Sequence, residues 1–277
     1  MAGSAPPYKA LLLDMNGTFM FGQDRFGQDE DYFTAYQACG GGALDATAVR
    51  AAIGATFAGM MTDYRDPARL DDFPSVAEAL ARYAAAPAAE HASLAGAFAA
   101  HEQGHVSPEY AACLQRLALT HKFGVVSNIF APKHGRLAHF DEIGLGELWT
   151  TQVFSSDGRS IKPSPALFRR AMAEVGAAPS EILFVGDNLA ADILPARALG
   201  MATAWVGPHA QPHPAADWTA PSLLALEAEL LAQPSPRKTR TITMSSRTSR
   251  ASGADPGSTG LDGESRSRTT PLRGTPG

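Results

Sequence analysis

The 277 residues are 45% hydrophobic and carry a formal net charge of −5, enough apolar material to bury the core of one large or two smaller domains. The charge is uneven: residues 1–232 hold 15 Lys and Arg against 25 Asp and Glu, a net of −10, whereas residues 233–277 hold 8 against 3. The acidic part argues against a nucleic-acid surface there, Cys39 and Cys113 fall in no disulfide or metal spacing, and no stretch reaches the roughly 20 apolar residues that span a bilayer.

In chain order, Met-Ala-Gly-Ser-Ala-Pro-Pro-Tyr-Lys shows no apolar h-region, and a cytoplasmic protein is expected. The first predicted strand, at 9–13, ends in Asp14, followed by Met15, Asn16, Gly17 and Thr18. Further strands are predicted at 123–126, 149–154, 182–185 and 202–206, several of them continuous apolar runs of the kind covered on both faces. About a hundred residues separate the first two strands, far more than a crossover needs, so an inserted unit is required. Its composition is helical, with Ala, Leu, Met and Phe concentrated at 31–38, 45–61, 75–86 and 92–102. A helix at 108–120 returns to the core. In 164–175, Leu167, Phe168, Ala171, Met172 and Val175 make one apolar stripe before Gly176. Leu189, Ile193, Ala196 and Leu199 do the same over 189–199, where Pro195 requires a kink or a short first turn. Residues 233–277 are Ser, Thr, Arg, Gly and Pro with few large apolar side chains, and are expected to be disordered.

Four segments carry chemistry. Asp14 stands at the carboxyl end of a buried strand, the edge where open α/β sheets place their sites. Phe123-Gly-Val-Val-Ser-Asn128 is an apolar strand ending in Ser127 and Asn128; Lys162 lies in Ser-Ile-Lys-Pro-Ser-Pro ahead of an amphipathic helix; and Ile182-Leu-Phe-Val-Gly-Asp-Asn-Leu-Ala-Ala-Asp192 brings Asp187 and Asp192 after another strand. In this order the four resemble the motifs of the haloacid-dehalogenase superfamily, in its phosphatase-like branch.

The resemblance implies an α/β fold, a Rossmann-like three-layer parallel sheet over 1–19 and 106–232, with an all-helical cap inserted at 20–105. It implies catalytic roles for Asp14 as nucleophile, Ser127 as phosphoryl holder and Lys162 as balancing cation, and substrate contacts from Thr18 and Asn128, the latter also suited to positioning the loop or the cap. Magnesium is implied at Asp14, the backbone carbonyl of Asn16, Asp187 and Asp192. The expected partner is a small phosphorylated molecule, with no membrane and no nucleic acid for the folded part; the oligomeric state is not legible. One position departs from the pattern. Phosphatases of the superfamily carry a second aspartate where this chain has Asn16, and an amide cannot exchange a proton as a carboxylic acid does. Phosphoryl hydrolysis slowed by that change is the expected activity. The alternatives are a 2-haloacid dehalogenase-like hydrolase and a phosphate-binding pseudoenzyme; a phosphonatase would need a cap lysine, and residues 19–121 contain none.

His101-Glu-Gln-Gly-His105 also matches H-E-x-x-H, a zinc-hydrolase pattern that requires an unbroken helix. Gly104 and the following Val-Ser-Pro108 predict that the helix frays there instead.

Overall fold

A computed structural model describes residues 8–232 and 240–241. The chain runs β1 (Ala10–Leu13), α1 (Tyr32–Ala38), α2 (Ala46–Arg65), α3 (Val76–Tyr83), α4 (His91–Glu102), α5 (Pro108–Ala118), β2 (Lys122–Ser127), α6 (His134–Glu142), β3 (Thr151–Phe154), α7 (Pro165–Val175) and β4 (Ile182–Gly186). A π-helical turn at Leu189–Ile193 leads into α8 (Leu194–Ala198), followed by β5 (Ala202–Val206), β6 (Trp218–Ala220), α9 (Leu223–Ala232) and the two-residue β7 (Arg240–Thr241). All pairings are parallel, in the order β3-β2-β1-β4-β5-β6-β7. Among the described residues no helix is long and apolar enough to cross a membrane.

The sheet is covered on both sides, as parallel sheets require. In β1, Leu11 and Leu13 enter one core with Leu114 and Leu117 of α5 and Leu226 of α9. Ala10 and Leu12 point the opposite way, into a second core with Phe168 and Ala171 of α7 and Ala196 of α8. That alternation follows from the two-residue period of a strand. Helices α1–α4 build a third core of their own around Tyr36, Ile53, Met60, Leu80 and Phe98, joined by Ala131 and Ile161 from loops of the sheet layer. Local capping supports these helices: Asp45 accepts from Ala48 N at 2.8 Å ahead of α2, and Ser75 and Glu78 form a capping box on α3.

The structure departs from the sequence reading at several elements. Helices α6 and α9 and strand β6 went unread. In α6 the apolar stripe is masked because a buried arginine, Arg136, takes a core position beside Phe140; α9 is apolar nearly all round, and β6 is only three residues long. The third strand starts at Thr151 instead of 149. At Pro195 the structure takes the second of the two expected forms: α8 starts afresh after the π turn, with the proline in its first turn, where no N–H is needed. The expected disorder of 233–277 lies outside the described residues except at Arg240–Thr241, where that expectation is corrected, because these residues pair with Trp218 and Thr219.

Gly124 in β2 stands where the flanking strands leave no room for a side chain. A Cβ there would lie 2.4 Å from Thr151 Cγ2 and 2.5 Å from Leu12 Cδ2, on the two flanking strands. Overpacking of this kind typically costs 1–3 kcal/mol. Gly124→Ala should lower stability by about that amount in urea denaturation, and a variant as stable as the parent would show that the sheet yields freely at this point.

Candidate active site

Register brings the site together. Leu13 pairs with Val125 on one side and Val185 on the other, so the residues that follow β1, β2 and β4 emerge at one edge of the sheet. Asp14 is 5% exposed and its N–H donates to Val185 O at 2.8 Å. The chain then turns tightly, with the N–H groups of Thr18, Phe19 and Met20 all donating to Met15 O. Gly17 takes a positive φ of 77°, and a Cβ on it would fall 2.3 Å from Asp187 Oδ2. Glycine is thus required twice over, by conformation and by space.

Ser127, at the end of β2, donates its hydroxyl to Asp14 Oδ1 at 2.9 Å. Lys162 Nζ donates to the same oxygen at 2.5 Å and to Asp192 Oδ1 at 2.6 Å. Neither bond falls on Asp14 Oδ2. Burial opposes the charge on Lys162, but Asp14 and Asp192 outweigh it and hold the ammonium above its ordinary pKa. Asp192 sits on the π turn, its Oδ2 accepting from Asn188 N at 3.0 Å. A Cβ at Gly186 would meet that oxygen at 2.5 Å, which explains a glycine directly before Asp187.

Asp187 keeps an exposed edge, yet burial of its carboxyl, then Asp14 and Asp192, push its pKa up to about 7. Burial, partly countered by Lys162, raises Asp192 as well. Carboxylate oxygens of Asp14, Asp187 and Asp192 lie within 4.8 Å of one another. A set of hard oxygen donors whose mutual repulsion is only partly balanced by one ammonium fits a divalent cation of the magnesium or calcium type.

These residues face a cavity of about 260 Å³, which also meets Asn16, Asn128 and residues of the helical unit. Asn16 Oδ1 is buried without a hydrogen-bond partner. One expected substrate contact is corrected. Thr18 is 1% exposed with an unpartnered hydroxyl, and it does not line the cavity because the turn folds it inward. Asn128 lines the cavity, and its amide takes the positioning role expected of it: Oδ1 accepts from Lys162 N at 2.7 Å, and Nδ2 donates to Lys162 O and Tyr64 Oη, each at 3.1 Å. It braces the lysine loop against α2.

Three residues of the helical unit also line the cavity. Glu102 is buried, accepts from the N–H groups of Phe130 and Ala131, and lies 3.2 Å from Arg136 Nη2. It was legible only as the glutamate of H-E-x-x-H. Helix α4 ends at Glu102, Gln103 is extended, and His105 pairs with Phe21 in an isolated bridge, so the two histidines never share a helical face. Tyr64 lines the cavity from α2, and Asp24 lines it from the segment after β1, with a φ of 57° unusual for a non-glycine residue.

The lysine bridge makes a prediction. Removing a buried cation from between two carboxylates costs about 3–5 kcal/mol when the charges are left uncompensated. Lys162→Ala should therefore be destabilised by about that amount, and adding Asp192→Asn should recover part of the loss in urea denaturation. Additive losses in the double variant would mean that the three groups are not coupled.

Comparison with known proteins agrees with this geometry. The family of haloacid dehalogenase-like hydrolases matches over residues 8–200. "Haloacid dehalogenase-like hydrolase domain-containing protein 3" of Danio rerio is 38% identical over 84 residues, 30% of this chain and 34% of that protein, so the match spans about a third of the relative's length. Among solved structures, a HAD phosphatase from Thermococcus onnurineus aligns with a TM-score of 0.52 and 22% identity, covering 80% of this chain and 97% of the other. A 2-haloacid dehalogenase from Pseudomonas syringae pv. Tomato DC3000 aligns with a TM-score of 0.56 and 22% identity, covering 81% and 98%. Similarity at this level establishes the fold and leaves the substrate open between the two chemistries. The match over residues 8–200, together with the carboxylates and lysine gathered at the sheet edge, shows that the chain belongs to the haloacid dehalogenase-like hydrolases.

Proposed function

We propose that the protein is a magnesium-dependent phosphatase of small phosphate monoesters, working through an aspartyl-phosphate on Asp14. The observation that carries this reading is the division of Asp14: one carboxylate oxygen is held by Ser127 and Lys162, while the other is free of both. A nucleophile held in this way loses little freedom on reaction. Asp14 Oδ2 attacks phosphorus as the bond from phosphorus to the leaving oxygen breaks, and that oxygen takes its proton from solvent. Water then attacks the phosphorus and gives up a proton to solvent, the bond to Asp14 breaks, and the carboxylate is regenerated with release of inorganic phosphate. Ser127 and Lys162, bonded to the other oxygen of the same carboxylate, steady the charge that builds on the phosphoryl group. Asp14, Asp187 and Asp192, with the backbone carbonyl of Asn16, would hold magnesium, which supplies positive charge to the phosphoryl oxygens.

The helical unit of residues 20–105 is proposed to act as a cap that closes over the strand ends and excludes water. A cavity of about 260 Å³, just below the roughly 300–1,000 Å³ typical of ligand sites, suits a small substrate. A haloacid is disfavoured because its carboxylate needs a cation. Lys162 is the one Lys or Arg lining the cavity among the described residues, and it already bridges two carboxylates.

The test is hydrolysis of 4-nitrophenyl phosphate with magnesium. Turnover should vanish in Asp14→Ala, and magnesium should raise the melting temperature of the parent but not of Asp187→Ala. Retained turnover in Asp14→Ala, a magnesium response unchanged in Asp187→Ala, or release of halide from 2-haloacids with no phosphatase activity would overturn the proposal.

Asn16 sets the scale of the rate. General acid catalysis typically contributes about 100- to 10,000-fold, and an amide contributes none of it. Aryl phosphates, whose leaving groups are stable as anions, should react faster than alkyl phosphates, and Asn16→Asp should raise alkyl phosphate turnover by about 100-fold. Peptide mass spectrometry should accompany these rates, since deamidation at Asn16-Gly17 would produce the same carboxylate. A folded, magnesium-responsive Asn16→Asp protein with no gain would show that more than this residue limits the reaction.

A further inference from the structure

Besides the reacting groups of the sheet edge, the cavity is lined by Asp24, Phe57, Tyr64 and Phe130, and Lys162 is the one Lys or Arg among the described residues of the lining. Five carboxylates in all reach the cavity, against the single ammonium of Lys162. Four of them have evident roles: Asp14, Asp187 and Asp192 form the phosphoryl and metal end, and Glu102 is paired with Arg136 and bonded to two backbone N–H groups. Asp24 is left over. Among the described residues nothing donates to its carboxylate, and its backbone is held in a left-handed conformation by Asp24 N to Glu102 O at 3.3 Å and Phe26 N to Asp24 O at 2.9 Å.

We propose, resting on the phosphatase reading, that the leaving group of the substrate carries an ammonium, so that the substrate is the phosphate monoester of a small amino alcohol, with the cation received by Asp24 and the rings of Phe57, Tyr64 and Phe130. Magnesium and a phosphate dianion cancel each other, and Asp24, an exposed carboxylate at the cavity, then has no Lys or Arg in the lining other than Lys162, which is already paired. A second anion on the substrate would be repelled by that carboxylate, whereas an ammonium pairs with it and gains from aromatic faces. Burial, then the charge of Glu102, against that of Arg136, push Asp24 up to about 6. The site therefore disfavours the bare anion and gains when a cation arrives.

The experiment is competition against 4-nitrophenyl phosphate, with magnesium, by three esters of matched size: O-phosphoethanolamine, propyl phosphate and phosphoglycolate. The inhibition constant should be at least tenfold lower for the amine than for propyl phosphate, and highest for the carboxylate. Asp24→Asn keeps the side-chain size, and asparagine readily adopts positive φ. It should shrink the ratio between amine and propyl ester by about tenfold, a change in charge recognition that a merely structural role would not produce. Equal constants for the three esters, a preference for phosphoglycolate, or an unchanged ratio in a folded Asp24→Asn protein would overturn the proposal; should that variant melt below the assay temperature, the parent's ranking of the three esters decides. Absence of any 4-nitrophenyl phosphate turnover would instead sink the phosphatase reading on which this one stands.

Discussion

One ammonium holds the site in shape. Lys162 Nζ lies between Asp14 and Asp192 at 2.5 and 2.6 Å, in a spot where all three side chains are almost wholly removed from water. Charges buried this way are tolerable only when paired and hydrogen-bonded, so the surrounding structure serves to supply that pairing. The lysine loop is gripped from both sides of its peptide by Asn128, which in turn donates to Tyr64 of α2. Ser127 takes a second bond to the same Asp14 oxygen.

Close approach is the second constraint. Gly17 and Gly186 stand where a single methyl group would collide with Asp187 and Asp192 respectively. These glycines let backbone lie against carboxylate and allow three acids to gather within 4.8 Å. The cost of the gathering shows in Asp187, lifted to about 7 by burial and by its neighbours. A site under this electrostatic load is suited to polyvalent charge, which connects the packing of the sheet edge to the phosphoryl chemistry proposed for it.

The helical unit meets the sheet layer through polar contacts as well as through its core. Glu102 at the end of α4 receives the N–H groups of Phe130 and Ala131, and Arg136 balances its charge from α6. Both charges are buried, so the pair favours one relative placement of α4 and the loop after β2 over any that leaves either charge alone. Ala131 and Ile161 complete the contact by entering the apolar core of the helices.

Much of this was legible in the chain. Strand ends carrying Asp14, Ser127 and Asp187 follow from continuous apolar runs that stop at polar residues, and the family resemblance follows from their order. The inserted helices follow from the length between the first two strands. Four things were not legible, each for a physical reason. Arg136 hides α6 because a buried cation breaks the apolar stripe that identifies a helix. Which group Asn128 positions is visible only once its amide is seen bonded across the lysine peptide, and Thr18 reads as a substrate contact until the turn is seen to fold it inward. Asp24 is one acid among many in the sequence; only the fold brings it to the cavity that the reacting groups and three aromatic rings line. Sequence by itself determined which chemistry-bearing residues stand at the strand ends, because that depends on local hydrophobic patterning. Which oxygen each donor takes and which side chains meet around the cavity were decided by tertiary structure alone, because they depend on distances between residues far apart in the chain.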